Sequence, residues 1–167
     1  MPTVRDFLME LDNEAPTTRR TLERVIPDKM NWAPHERSLT LGQLAMHVAN
    51  IPGVLAEVSM KPSFDASTVV PRPTPTSLDQ LLTTHEESVA KARNLIGAMD
   101  DAALNTPWRM FNGNLEIASM PRGVFLRSVL FNHWYHHRGQ LTVYLRETGA
   151  KVPSIYGASA DEMPGAR

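Results

Sequence analysis

Four stretches of the chain repeat apolar residues at helical spacing, and polar or proline-rich segments separate them. The first runs from about Thr3 to Val25, with Phe7, Leu8, Leu11, Leu22, Val25 and Ile26 as its apolar stripe. Thr3 is placed to cap it, with Asp6 at the favourable third position. Pro16 has no N–H to donate and should kink this helix or split it in two. Pro27 to Leu39 reads as a loop holding Trp32, Pro34 and His35. The second helix starts at Thr40, where Thr40 and Gln43 match a capping box. Leu41, Leu44, Ala45, Val48, Ile51, Leu55 and Val58 form its buried face, Pro52 bends its second half, and it should end near Met60.

Residues 61 to 76, KPSFDASTVVPRPTPT, form a linker with four prolines. An extended proline-rich chain covers ~3.1 Å per residue, so this linker spans roughly 50 Å. That is enough to return along a helix of ~30 Å, and it allows the second and third helices to run parallel. The third helix opens at Ser77, with Gln80 completing another capping-box pattern, and runs to about Met99 behind a charged surface of His85, Glu86, Glu87, Lys91 and Arg93. Between Asp100 and Ser119, Asn112-Gly113 stands between apolar-rich flanks, the signal for a small β-hairpin. The fourth helix starts near Met120-Pro121, with Ser119 as its cap, and ends at Gly149. The tail VPSIYGASADEMPGAR is turn-rich. The predicted fold is all-α: one domain over residues 1–167, a four-helix bundle with a long crossover between helices two and three and a small hairpin before helix four.

Bulk properties narrow the function by exclusion. A chain of 167 residues buries roughly two thirds of its unfolded surface, so it needs no disulfide or metal merely to fold. A net charge of −1 gives no electrostatic case for nucleic acid or an anionic membrane as partner. No apolar run approaches the ~20 residues of a membrane span. The N-terminus turns acidic where a signal peptide would be apolar, so a cytoplasmic protein is expected. The chain has no cysteine, which removes disulfides, Fe–S clusters, Cys-ligated zinc and a cysteine nucleophile together. Any thiol in its chemistry must arrive with a substrate.

The chemistry concentrates in Leu130 to Gly149, LFNHWYHHRGQLTVYLRETG, which holds three of the chain's six histidines. Residues four apart on a helix lie about 40° apart in projection and one turn apart in height, so His133 and His137 point the same way. Leu126, Val129, Leu130, Leu141 and Tyr144 fall on or beside that face. His47 lies at the edge of the second helix's buried face, about 60° from Leu44 in projection. Two imidazoles one turn apart plus a third from a facing helix make three corners of a tetrahedral zinc site with an open fourth position. The alternative is a hydrogen-bonded pair of core histidines and a third at the surface. His136 lies further off the apolar face and reads as a neighbour of such a site or an interface residue. Arg138 and Gln140 either reach the site or cap the bundle. A di-iron bundle would need Glu-x-x-His pairs, and no histidine here has Glu three residues before it. HEESV at His85 is not H-E-x-x-H, and neither a G-x-S-x-G elbow nor a phosphate-binding loop is present. His35 and His85 read as surface histidines.

Residues FNHWYHHRGQLTVYLRETGAKVPSIYGASADE resemble the C-terminal signature of the DinB/YfiT-like proteins. LTLGQLAMHVANIPG, after a W-x-P-H-E-R-S loop, is similar to that family's second helix with its first histidine. PWRMFNGN followed by MPRGVFLRS fits the family's entry into helix four. The resemblance covers nearly the whole chain, and H-x3-H-R-G-Q-L is its most specific part. It implies up-down-down-up connectivity, a divalent metal on His47, His133 and His137, and often a homodimer. Zinc is the first expectation for the metal, with nickel or Fe2+ as alternatives. Characterised relatives include bacillithiol S-transferases and a mycothiol-dependent maleylpyruvate isomerase, so the resemblance implies a metal-activated low-molecular-weight thiol attacking a small-molecule electrophile. Tyr156 and Arg138 are the weak catalytic candidates, and Trp32, His136 and Gln140 are candidates for the pocket or for support of the metal ligands. A metal-dependent hydrolase using metal-bound water, or a non-catalytic metal- or small-molecule-binding stress-response protein, are the other readings.

Overall fold

The computed structural model describes residues 2–69 and 73–163; residues 70–72 of the expected linker and 164–167 of the expected tail lie outside the described residues. The chain is predominantly helical with one small sheet. Helices α1 (Val4–Leu22), α2 (Leu41–Met60) and α3 (Leu78–Gly97) are followed by a continuous helical run. This run consists of α4 (Arg122–Phe125), a π-helical turn (Leu126–Phe131) and α5 (Asn132–Glu147). Strands β1 (Ser63–Asp65), β2 (Pro107–Asn112) and β3 (Leu115–Pro121) form the sheet in the order β1-β2-β3. The long helices contact one another in the sequence α1–α3–α2–α5–α1, and their apolar stripes close around Phe7, Leu11, Leu44, Leu81, Leu130 and Leu141, all buried.

Local chemistry sets most of the boundaries. Thr3 Oγ1 accepts from Asp6 N (3.2 Å) while Asp6 accepts from Thr3 N (2.8 Å), and Thr40 and Gln43 repeat the exchange at 3.2 and 3.0 Å. At α3 the reciprocal box is only half made. Ser77 Oγ accepts from Gln80 N (3.0 Å), but the Gln80 side chain accepts from Thr76 N (2.7 Å) instead. Pro16 lies inside α1, which nonetheless remains one helix and ends at Leu22, short of Val25.

The hairpin is present, with its turn one residue later than Asn112-Gly113. Asn112 pairs with Leu115, so Gly113-Asn114 make the turn. Gly113 has φ +61° and, among the described residues, no non-glycine residue has positive φ, which is the pattern of a type II′ turn. Strand β3 pairs all the way to Pro107↔Pro121, which places Ser119 in the sheet. Helix α4 therefore begins at Arg122 with no side-chain cap, and Ser119 does not cap it. The crossover is also more ordered than a bare linker. Its β1 pairs in parallel with β2, because the hairpin offers an open edge of backbone donors and acceptors, and Asp65 accepts from Gly113 N (3.0 Å) at the turn.

The proline in α2 fixes how the helices meet. Pro52 cannot donate to the carbonyl of Val48. The indole of Trp134, fully buried on α5, donates to that carbonyl at 3.0 Å. From the other side Gly53 N donates to Ser88 Oγ (2.8 Å), and the Ser88 hydroxyl donates to the Asn50 carbonyl (3.0 Å). A Cβ at Gly53 would sit 2.9 Å from the Ser88 carbonyl oxygen, so only glycine lets α3 approach this closely. The sheet is fastened to the far end of α2. The Trp108 indole donates to Val58 O (3.3 Å), and the Arg122 guanidinium donates to Ser59 O (2.7 Å).

His85 corrects a sequence expectation. It is 2 % exposed, its Nε2 bonds the Ala15 carbonyl (3.1 Å), and its buried Nδ1 has no partner among the described residues. Its neighbours in sequence are charged, but its position on α3 faces α1 and Trp134. His35, in contrast, is exposed as expected.

Two outcomes test this packing. Trp134→Phe keeps the ring but strands the Val48 carbonyl, and should destabilise the fold by about 1–3 kcal/mol, read as a lower urea midpoint at unchanged slope. Burial holds the His85 imidazole below its ordinary 6.5, so the folded chain binds this proton more weakly than the unfolded chain. The site's stability is full above pH 6.5 and drains as the pH falls from there toward the folded value. Urea midpoints at pH 7.5 and 5.5 should therefore drop further for the wild type than for His85→Gln; parallel drops would show that the buried imidazole is not the source.

Candidate metal centre

Helix α2 carries His47 one turn before Asn50, and α5 carries His133 and His137 one turn apart. The Trp134–Val48 hydrogen bond joins the residues that directly follow His133 and His47, so it brings these two histidines together, their rings tilted by 56°. Their Nε2 atoms are 3.1 Å apart. The His137 ring stands 4.5 Å from that of His133 and 4.6 Å from that of His47. One nitrogen from each of the three lies within 4.8 Å of the others, and all three are half-buried. Two nitrogens held at ~2.0–2.1 Å from one ion at a tetrahedral angle stand about 3.4 Å apart, so the closest pair has nearly the edge length of such a site. The group could hold a divalent cation.

Gln140 and His136 complete the cluster. Gln140 Oε1 and His137 Nδ1 are 2.7 Å apart. An amide oxygen can only accept, so this contact places the proton on Nδ1 and leaves Nε2 with its lone pair. His136 is exposed and sets its ring edge-on to His137 at 5.0 Å. Trp32 lies further along the same side of α5, edge-on to Tyr144 at 5.7 Å.

Arg138 and Tyr156 are brought together, but on the α1-facing side of α5. Arg138 is 1 % exposed and forms an ion pair with Glu14 (2.6 Å), with a further bond to Thr18 Oγ1 (3.0 Å). It also donates to the Tyr156 hydroxyl at 2.6 Å, and that hydroxyl donates to Glu14. Beside them Glu10 takes Arg127 and, at 2.5 Å, the Tyr135 hydroxyl. Arg127 holds the Glu10 carboxyl below its ordinary range, and burial, reinforced by Glu10, pushes the Tyr135 hydroxyl well above its own. These groups tie α5 and the tail to α1.

A cavity of about 570 Å³ opens beside His47 and His133. Helix α2 supplies Val54, Leu55 and Val58, the crossover supplies Phe64, β2 supplies Met110, and the α4 run supplies Phe125. Periodicity does not reveal this wall, because part of it comes from the crossover and the hairpin. Asn50, three residues after His47 in an otherwise apolar stretch, was the legible signal of a polar position in it. The π-helical turn directly before α5 has no signal in the sequence. It rephases the helix just ahead of His133, and such turns frequently occur at functional sites.

The sequence profile of the DinB family matches residues 1–165. A Bacillus subtilis (strain 168) protein named Uncharacterized protein YrdA is 29% identical over 167 residues, covering 96% of this chain and 92% of its own. A DinB-like protein from Bacillus cereus ATCC 10987 superposes with a TM-score of 0.75 at 24% identity, covering 92% of this chain and 98% of its own. The DinB-like protein YjoA from Bacillus subtilis gives 0.67 at 17% identity, covering 90% and 96%.

Gln140→Leu removes the acceptor that orients His137 while leaving the three imidazoles. Loss of such a partner should cost about 10–100-fold in zinc affinity, measured by competition with a chromophoric chelator. An affinity equal to the wild type's would mean that Gln140 does not support the site.

Proposed function

The chain belongs to the DinB family, and from that premise we propose that it is a divalent-metal-dependent enzyme of the thiol S-transferase type. The observation that carries the proposal is the three-histidine group, two of whose members, His47 and His133, line an apolar cavity. His47, His133 and His137 would hold the ion through their Nε2 atoms, and Gln140 would keep His137 in the required tautomer. A bound divalent cation would lower the pKa of a low-molecular-weight thiol brought to it. Because the chain has no cysteine, the sulfur nucleophile comes from outside. The cavity walls would hold the electrophile and keep water from competing for it. The thiol proton would be lost to solvent as the thiolate forms; as the carbon–sulfur bond then forms, the bond to the leaving group breaks and that group departs with the electron pair.

Hydrolysis ranks below thiol transfer on a specific ground. Activating water calls for a general base in reach, and no carboxylate lines the cavity among the described residues. Glu10 and Glu14 are committed to Arg127 and Arg138 on the α1-facing side of the helix. Arg138 and Tyr156 would then act on the fold rather than the reaction, since Tyr156 is 71 % exposed and neither lines the cavity. His136 and Trp32 remain neighbours of the site. A non-catalytic metal- or small-molecule-binding role is the reading left if no turnover is found.

We read the helices as a four-helix bundle with up-down-down-up connectivity, one domain over residues 1–167 that acts as a cytoplasmic homodimer. The contact order α1–α3–α2–α5 supports the bundle. The family resemblance supports the dimer and composition the location, and no described helix is long and apolar enough to cross a membrane.

Purified protein should carry about one divalent ion per chain by elemental analysis, and His133→Ala should carry almost none. Low-molecular-weight thiols should be conjugated to 1-chloro-2,4-dinitrobenzene at a rate that chelation abolishes and Zn2+ or Ni2+ restores. Full metal content in His133→Ala would end the site assignment. Chelator-insensitive turnover, or metal-dependent ester hydrolysis with no thiol transfer, would end the transferase reading.

A further inference from the structure

The cavity beside His47 and His133 has an unusual lining for a site near candidate metal ligands. Among the described residues its wall contains no aspartate, glutamate, lysine or arginine. The arginines of α5 and the preceding turn are turned elsewhere. Arg127 faces Glu10, Arg138 faces Glu14, and Arg146 pairs with Asp161 at 2.6 Å. Apart from the histidines, the polar side chains of the wall are Asn50 and Thr68. The Asn50 amide has no hydrogen-bond partner among the described residues, whereas the backbone carbonyl of the same residue is taken by Ser88. At the rim, Val54 and Val69 are 49 % and 63 % exposed, large apolar surfaces facing solvent at the mouth. A volume of about 570 Å³ lies in the range of pockets that enclose a whole small molecule.

We propose that this cavity selects an uncharged, largely apolar small molecule, and that Asn50 reads its one polar group. The inference rests on the metal-dependent reading for the identity of this molecule as the electrophile, but the selection itself does not require it. Away from the histidines, a charged ligand would lose its hydration in the cavity and meet no counter-charge from Asp, Glu, Lys or Arg on these walls, a cost far above that of burying a neutral ring. A carbonyl or similar acceptor, in contrast, can receive the Asn50 amide proton one helical turn from His47 while the rest of the molecule lies among Val54, Leu55, Val58, Phe64 and Met110. A hydrogen bond of this kind changes affinity by roughly two- to tenfold.

Two dyes share one ring skeleton and differ in charge: N-phenyl-1-naphthylamine is neutral, and 1-anilinonaphthalene-8-sulfonate is anionic. Fluorescence titration of the EDTA-dialysed protein should show the neutral dye binding at least about tenfold more tightly. Val54→Asp, an exposed rim position where the fold has little at stake, should weaken the neutral dye severalfold, with circular dichroism unchanged. Equal or tighter binding of the sulfonate, or no effect of Val54→Asp, overturns the inference. For Asn50 the pair is 2-acetylnaphthalene and 2-ethylnaphthalene in displacement of the dye. The wild type should prefer the ketone by roughly two- to tenfold, and Asn50→Leu should erase that preference; a preference that survives removes Asn50 from the proposal. Metal content measured on the purified protein before EDTA dialysis, and again after reloading with Zn2+, separates the two failures. Selective dye binding by a chain that takes up no metal would sink the transferase reading alone, and a metal-loaded chain without the selectivity would sink this inference alone.

Discussion

A missing hydrogen atom organises this molecule. Pro52 leaves the Val48 carbonyl without its helical donor, and a buried carbonyl without a partner costs about 1–3 kcal/mol. The Trp134 indole fills the place at 3.0 Å. The bond is directional, so it fixes more than the contact between two helices. It sets the height of α5 against α2 and the rotation of both, at the positions next to His47 and His133. Apolar packing alone could tolerate a small slide of one helix along the other; a 3.1 Å separation between two ring nitrogens could not. On the opposite side of the bend, Ser88 and Gly53 lock α3 to the same turn. The histidine group is therefore held by a backbone defect that three helices cooperate to repair.

The same helix sorts its charges. Trp134, Arg138, Leu141 and Leu145 form its buried stripe, with an arginine at the centre of what would otherwise be an apolar seam. A guanidinium can be 1 % exposed only because Glu14, Thr18 and Tyr156 meet its donors. One consequence lies across the helix. Carboxylates and cations are consumed on the α1-facing side, and the side that carries His133 faces a cavity lined by apolar groups. A cation held by the histidines would sit in a poorly screening environment, where its effect on a neighbouring group's protonation is larger than in water.

The sequence made some of this legible and hid the rest, for identifiable reasons. The H-x3-H spacing, the edge position of His47 and the capping boxes of α1 and α2 are local relations on regular helices, and each is found where helical geometry puts it. The Gly113 turn is local too, and only its register differed by one residue. What could not be read depends on distant partners. Ser119 became a strand residue because the pairing with β2 runs on to Pro121. Residues 63–65 became a strand only because a hairpin edge formed 40-odd positions later in the chain. His85 stands among charged neighbours in sequence, but the Ala15 carbonyl of α1 draws it inward. The π-helical turn has no residue signature of its own, and it shifts the phase on which any projection from Leu126 to His133 relies.

The candidate site thus has two structural sources with different freedoms. Its histidines come from two long helices whose mutual position is over-determined by Pro52, Trp134 and the buried core. Its ligand walls come partly from the crossover and the hairpin, anchored at a few points such as the Trp108 indole on Val58 and the Arg122 guanidinium on Ser59. Changes at Phe64, Met110 or Val69 alter the shape and polarity of the cavity without moving the helix pair that carries the imidazoles. A fold built in this way can keep one group of metal-capable histidines while its small-molecule partner varies. On the proposed function, selection of the substrate is therefore shared between Asn50 with the apolar residues of α2 and the more changeable walls of the crossover and the sheet, and the capacity for metal chemistry lies in α2 and α5.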